Sequence, residues 1–307
     1  MRRLSRLAAV VVAFAVLAGP AGPAGAAAEA ALPVVASFSV LGDLVHEIGG
    51  DLVSVTTLVG PDGDVHVFEP SPDDARAIGA ARLVVVNGLG LEGWMSRLIA
   101  ASGYRGPVVV ASDGVTPRRG FAGAGEGPGG GTDPHAWQNV ANVERYARNL
   151  GEGLALADPL HAAEYRAGAA AYIVRLEALD REVRAAFATV ERARRKIITS
   201  HDAFGYFGDA YGLTLLAPLG FGTESEPSAK AVGALIDQIR RERIKAIFIE
   251  NMSDPRLIQQ IARESGAVVG GRLFSDALSP AGGPAVSYLE MVRHNVRLLI
   301  ESLQLSP

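Results

Sequence analysis

Two parallel-sheet α/β lobes joined by one long helix is the fold this sequence predicts, and three observations carry it. Short Val/Ile/Ala-rich runs alternate with helical patterns, the signature of βαβ units. The alternation occurs twice, separated by a proline-free helical stretch after Pro159. About 280 residues remain after an N-terminal targeting segment, more than one domain usually holds.

In the first half, strands are predicted at Val34–Ser37, Val53–Leu58, Leu83–Asn87 and Val108–Ala111, with helices near Leu41–Ile48, Asp73–Ala80 and Gly93–Ser102. In the second half the strands are Lys196–Ser200, Leu213–Ala217, Ala246–Glu250 and Ala267–Gly270, with helices near Ala229–Arg241, Pro255–Glu264 and Ser287–Leu303. Between them, apolar residues recur at Leu160, Ala163, Ala167, Ala171, Val174, Ala178, Val183, Ala186 and Val190, mostly in steps of three or four. That spacing reads as one amphipathic helix over 158–190, capped by Asp158 with Pro159 at its first position. At 1.5 Å per residue it would span roughly 50 Å, a stiff strut. The expected organisation is a signal segment over 1–28, an N-terminal lobe over 29–157, a linker helix over 158–190 and a C-terminal lobe over 191–307.

The start of the chain reads as export machinery. Arg2, Arg3 and Arg6 precede the apolar run Leu7–Leu17 and an Ala-rich stretch with Ala24-Gly25-Ala26. That order matches a secretory signal peptide, and the run is too short to span a bilayer. There is no cysteine, hence no disulfide, no thiolate ligand and no acceptor for an N-terminal lipid. The expectation is a protein of the periplasm, soluble after cleavage, monomeric and not lipid-anchored. Loss of three arginines takes the formal charge from −4 to −7, which argues against a nucleic-acid partner. The Gly-rich loop 118–132 cannot bury enough apolar surface to offset its ordering entropy.

Four polar side chains each follow a predicted strand: His66, His135, His201 and Asp276. A lone histidine is more often structural than a ligand. Placement is what argues here, because open α/β sheets bind ligands beyond the carboxyl ends of their strands. Three imidazoles and a carboxylate suit a borderline divalent ion such as zinc. The other histidines sit on helices (His46, His294) or at the start of the strut (His161) and fit this pattern poorly. Glu69, Asp133 and Asp202 are candidates to accept the far N–H of an imidazole, although Asp202 also reads as a cap for a helix at Ala203. Glu224 and Glu226 are expected to serve the N-terminus of the helix after Pro227.

The runs Gly63-Asp64-x-His66-x-Phe-Glu-Pro70, Asp133-Pro-His135-x-Trp137, Ser200-His201-Asp-Ala-Phe-Gly-Tyr206 and Ser275-Asp276-Ala-Leu-Ser279 occur in that order. With the C-terminal run from Gly283 to Asn295, they resemble the zinc/manganese substrate-binding proteins of bacterial metal-ion ABC transporters. The resemblance covers essentially the whole mature chain. It implies a two-lobed receptor with metal between the lobes, ligated by His66, His135, His201 and Asp276, and an inner-membrane ABC permease as partner, with a periplasmic metallochaperone as a further candidate. Zinc-type relatives often carry a histidine-rich insertion before the second ligand; here a Gly-rich loop without histidine stands there. Manganese-type relatives tend to have a carboxylate where this chain keeps His201, so ligand type favours Zn²⁺ over Mn²⁺, though copper(II) would also bind tightly. The expected activity is capture and delivery rather than catalysis. A zinc hydrolase with Asp276 as base is the rival from another class, but no compact His-Glu-x-x-His motif is present; a surface adhesin is the other.

Overall fold

The computed structural model describes residues 30–119 and 131–304. The signal segment at 1–28 and most of the Gly-rich loop lie outside the described residues.

All eight predicted strands form, as two four-stranded parallel sheets. The first contains β1 (Leu32–Phe38), β2 (Val53–Val59), β3 (Leu83–Val86) and β4 (Val108–Val110) in the order β2-β1-β3-β4. The second contains β5 (Lys196–Ile198), β6 (Thr214–Leu216), β7 (Ala246–Glu250) and β8 (Val268–Leu273) in the order β6-β5-β7-β8. The two lobes therefore repeat one topology. In each, the strand order reverses beside the first strand, opening a crevice at its carboxyl end.

Helices α1 (Ser39–Gly49), α2 (Pro72–Ala80) and α3 (Met95–Ser102) match the predicted helices of the first half. Ser71 and Asp74 start α2 with a reciprocal capping box. In the second half, α7 (Ala229–Glu242), α8 (Pro255–Ser265) and α9 (Tyr288–Gln304) do the same. Ser228 caps α7 by accepting from Ala231 N, a role the sequence reading had given to Glu224 and Glu226. One helix escaped the sequence reading, α4 (Val140–Ala157), and the helix expected from Ala203 starts two residues later, as α6 (Gly205–Tyr211). Gly151 and Gly153 interrupt the α4 pattern, yet both are buried where α4 meets its neighbours.

The strut is shorter than expected and its buried face is different. Asp158 and Pro159 open a 3-10 turn over Pro159–His161, and the α-helix proper, α5, runs Ala162–Ala188. Its 27 residues span about 40 Å. Asp158 precedes the 3-10 turn and does not cap α5; its carboxylate accepts from His161 Nδ1 at 2.7 Å and from the Tyr165 hydroxyl at 2.9 Å. The buried stripe is Tyr165, Ala169, Tyr172, Ile173, Leu176, Leu179, Val183 and Phe187. Leu160 and Val174, assigned to the inner face by their spacing, are 78 % and 62 % exposed. The alanines supplied the period, but the large aromatic and aliphatic side chains supply the area, and burial follows area.

Helix α4 lies antiparallel along α5, as the Glu152–Arg166 ion pair and the close approach of Gly151 to Ala169 show. One continuous apolar core runs from Leu32 through α4 and α5 to Phe248, Leu273 and α9, and a second, smaller one joins Ile198, Ile247, α7 and α8. The described residues from 31 onward accordingly form one compact unit. At Gly168 the linker touches α1 directly: a Cβ there would stand 2.1 Å from the carbonyl oxygen of Ile48.

Gly168→Ala tests that contact. Helix propensity alone would favour alanine by about 1 kcal/mol, but the overlap forces α1 and α5 apart. A net loss of about 1–2 kcal/mol is expected in urea unfolding; unchanged or raised stability would show that the two helices do not meet there.

Candidate metal centre

Each candidate ligand sits in a loop beyond a strand. His66 lies between β2 and α2, and its backbone N–H donates to Asp64 Oδ1 at 2.9 Å. His135 precedes a 3-10 turn over Ala136–Gln138. His201 lies three residues past β5, and Asp276 three past β8.

The four side chains converge. His66 Nε2 is 3.3 Å from His135 Nε2, which is 3.4 Å from His201 Nε2. Asp276 Oδ2 lies 3.2 Å from His66 Nε2 and 3.1 Å from His201 Nε2, and Oδ1 lies 3.7 Å from His135 Nε2. A tetrahedral ion with bonds of about 2.0–2.1 Å separates its ligands by about 3.3 Å. The spacing fits. His135, His201 and Asp276 are fully buried, while the His66 side chain keeps 5 % exposure.

Orientation of the rings is set from behind. Asp133 Oδ1 faces His135 Nδ1 at 2.9 Å and also accepts its backbone N–H at 3.0 Å, while Oδ2 takes Arg118 Nη1 at 3.0 Å. Glu250, the last residue of β7, places Oε2 2.7 Å from His201 Nδ1, and its Oε1 accepts from Ser200 N and His201 N at 2.7 and 3.0 Å. A carboxylate at Nδ1 requires a proton on that nitrogen, which leaves Nε2 of the neutral ring as a lone pair aimed at the centre. Asp276 is held through its neighbours: Trp137 Nε1 and Gln138 Nε2 both donate to the Ser275 carbonyl, at 2.9 and 2.8 Å.

Lone pairs at such distances repel, and among the described residues the groups near Asp276 Oδ2 are the His66 and His201 imidazoles, at 3.2 and 3.1 Å. Burial alone would push the His201 imidazole down and the Asp276 carboxyl up. The Glu250 and Asp276 charges outweigh it and hold His201 well above the usual imidazole range, while His201 and His135 hold Asp276 well below the carboxylate range. A proton kept there neutralises the space that a divalent cation would fill. Phe221 packs over His135 with ring centroids 6.3 Å apart, helping to exclude water.

Among the described residues these four form the group with metal-holding geometry. His46 is exposed, His161 pairs with Asp158, and His294 Nε2 contacts the Arg272 carbonyl. Of the predicted supporting acids, Asp133 is in place, whereas Glu69 is exposed. Asp202 does not cap a helix at Ala203, because α6 starts at Gly205 with no side-chain cap. Glu250 was missed; a carboxylate closing the apolar run Ala246–Ile249 was the available signal. Trp137 and Gln138 carried none.

The family described as zinc-uptake complex component A, periplasmic, matches residues 34–302. The manganese-binding lipoprotein MntA of Halalkalibacterium halodurans is 32 % identical over 272 residues, 89 % of this chain and 88 % of that protein. The iron ABC transporter substrate-binding lipoprotein MtsA of Streptococcus pyogenes serotype M1 is 30 % identical over 278 residues, 89 % of each. The periplasmic zinc-binding protein TroA of Treponema pallidum superposes with a TM-score of 0.82 at 30 % identity, over 89 % of this chain and 99 % of that one. MntA and MtsA are named lipoproteins, whereas the family description and the name of TroA read periplasmic. No helix among the described residues is long and apolar enough to cross a membrane.

Removing one support tests the orientation. Glu250→Gln keeps the shape but leaves His201 Nδ1 without its anionic partner. Zinc affinity measured by chelator competition should fall 10- to 100-fold, and unchanged affinity would detach Glu250 from the site.

Proposed function

The chain belongs to the zinc-uptake component A (ZnuA) family of metal-binding, substrate-binding proteins of ABC transporters, and from that premise we propose that Zn²⁺ is its cargo. The ion is captured outside the cytoplasm through His66, His135, His201 and Asp276 and handed to an inner-membrane permease. The observation that carries this reading is the convergence of three imidazole Nε2 atoms and a buried carboxylate within ligating distance of one point. Four protein ligands close the coordination sphere, as in sites that hold a metal, whereas a hydrolytic site keeps one position for water. The family consists of receptors rather than enzymes, in keeping with that closure.

Manganese is the second reading, and two observations favour it. A relative at 32 % identity is named manganese-binding. Asp276 Oδ1, without a donor and 3.7 Å from His135 Nε2, is available as a fifth ligand atom for an ion of higher coordination number. Against it, three nitrogens to one carboxylate match zinc better, and zinc binds such donors more tightly than manganese. Calorimetric competition separates them: zinc should displace manganese from the loaded protein, and the reverse at equal concentrations would make manganese the cargo.

Two further outcomes follow from the ligand set. His66→Ala, His135→Ala and His201→Ala should each lower zinc affinity by roughly an order of magnitude or more; a variant that binds normally removes its residue from the site. Zinc must displace protons, and His201 holds its proton above the ordinary value of about 6.5. Affinity should therefore decline steadily as pH falls from about 8 to about 5, and a flat profile would contradict histidine ligation.

A further inference from the structure

Gly205 and Tyr206 close the motif that begins at Ser200, and metal ligation gives neither of them a task. Both meet Arg118, which comes from the first half of the chain, beyond β4. Arg118 N donates to the Tyr206 hydroxyl at 2.7 Å, and that hydroxyl donates to the Asp133 carbonyl at 3.4 Å. Asp133 N in turn donates to the Arg118 carbonyl at 2.9 Å. The Arg118 side chain then runs across Gly205: a Cβ there would stand 2.2 Å from Nη1 and 2.3 Å from Cζ. Gly205 is not one of the glycines with positive φ, so the position requires a missing side chain rather than left-handed backbone.

From that slot the guanidinium spans the two lobes. Nη1 donates to Asp133 Oδ2 at 3.0 Å, and Nε donates to Asp209 Oδ2 on α6 at 3.0 Å. We infer that Arg118 is a positioning residue for the metal centre: seated over Gly205, it holds the Asp133 carboxylate against His135 and so slows release of the ion. The inference rests on the reading of the chain as a zinc receptor.

Burial decides which of its two ion pairs matters. The Asp209 side chain is 70 % exposed, and a pair with so open a partner contributes little. Asp133 is fully buried and the Arg118 side chain only 12 % exposed, so removing the cation would leave a buried carboxylate oxygen to be solvated. Asp133 Oδ1 meets both the ring and the backbone N–H of His135. With Nη1 gone, the carboxylate gains by turning Oδ2 toward the vacated space, which adjoins a groove lined by Asp202, Gly208 and Asp209. The same rotation takes Oδ1 off His135 Nδ1, and the ring loses the partner that fixes its tautomer and tilt.

A guanidinium near the site also repels a cation, and its loss by charge alone would tighten binding. That repulsion is small here, because carboxylates at 3.0 Å on both sides match the charge. Orientation therefore outweighs it. Arg118 lies on the His135 side of the centre, and its slot in α6 lies just past His201. A movement that parts the two withdraws the guanidinium from Gly205 and frees Asp133 in the same step, so opening of the cleft is transmitted to a ligand.

Two substitutions reach the contact from opposite sides. Arg118→Gln removes the cation. Gly205→Ala evicts it while leaving every hydrogen-bonding side chain in place, since what it displaces is the far end of a flexible chain and alanine suits a helix. Zinc release from the loaded full-length protein into excess chelator, followed by stopped flow, should be about tenfold faster in each variant, with the rate of capture unchanged. Because both act through one contact, the double variant should release no faster than either single one. Natural release rates in either single variant, or effects that multiply in the double, overturn the assignment. Proton NMR of the unaltered metal-free chain gives a reading that needs no variant. Arg118 Nε–H and Nη1–H should appear as separate, slowly exchanging signals; averaged, rapidly exchanging ones would equally overturn it. Failure of the natural chain to take up zinc at all would instead count against the receptor reading, leaving the NMR measurement to decide the seating of Arg118.

Discussion

Three imidazole lone pairs and one carboxylate, forced to within 3.4 Å of their neighbours, form the constraint on which the rest of the molecule depends. Such a cluster is unstable on its own account. It persists because Asp133 and Glu250 hold His135 and His201 by their far nitrogens, and because Trp137 and Gln138 fix the peptide before Asp276. The opposed shifts of His201 and Asp276 record the same tension: positive charge is retained on one side and negative charge on the other until a cation takes their place.

The fold meets this demand by duplication. Each lobe contributes a sheet with the same strand order, and each contributes two of the four side chains from beyond its strand ends. Support crosses between lobes as well. Trp137 and Gln138 of the first lobe hold Ser275 of the second, and Thr223 of the second donates to Asp64, the residue that accepts the His66 N–H. The apolar core continues through α4 and α5 from one sheet to the other. Helix α1 adds a further tie across the lobes, Ser39 Oγ accepting from Leu278 N and Asp43 Oδ2 from Tyr288 N on either side of the turn that follows Asp276.

Much of this was legible in the sequence. All eight strands follow from apolar runs, and the four converging side chains from polar residues in the segments after strands together with the motifs that resemble the metal-receptor family. The failures have specific physical causes. Helix α4 was hidden because Gly151 and Gly153, which punctuate a pattern, serve close packing here. The inner face of α5 was misplaced because its alanines keep a helical period while Tyr165, Tyr172 and Leu176 supply the buried area. Glu250 gave only a faint local signal, a carboxylate closing an apolar strand, and it acquires its role from His201, a residue far along the chain.

The most direct measurement is X-ray absorption at the zinc edge on protein loaded with one equivalent of the ion. A single zinc bound by three imidazole nitrogens at about 2.0–2.1 Å, with carboxylate oxygen completing the shell, is the expected result. A spectrum showing two imidazoles or fewer, or a shell of water oxygens, would contradict the account at its centre.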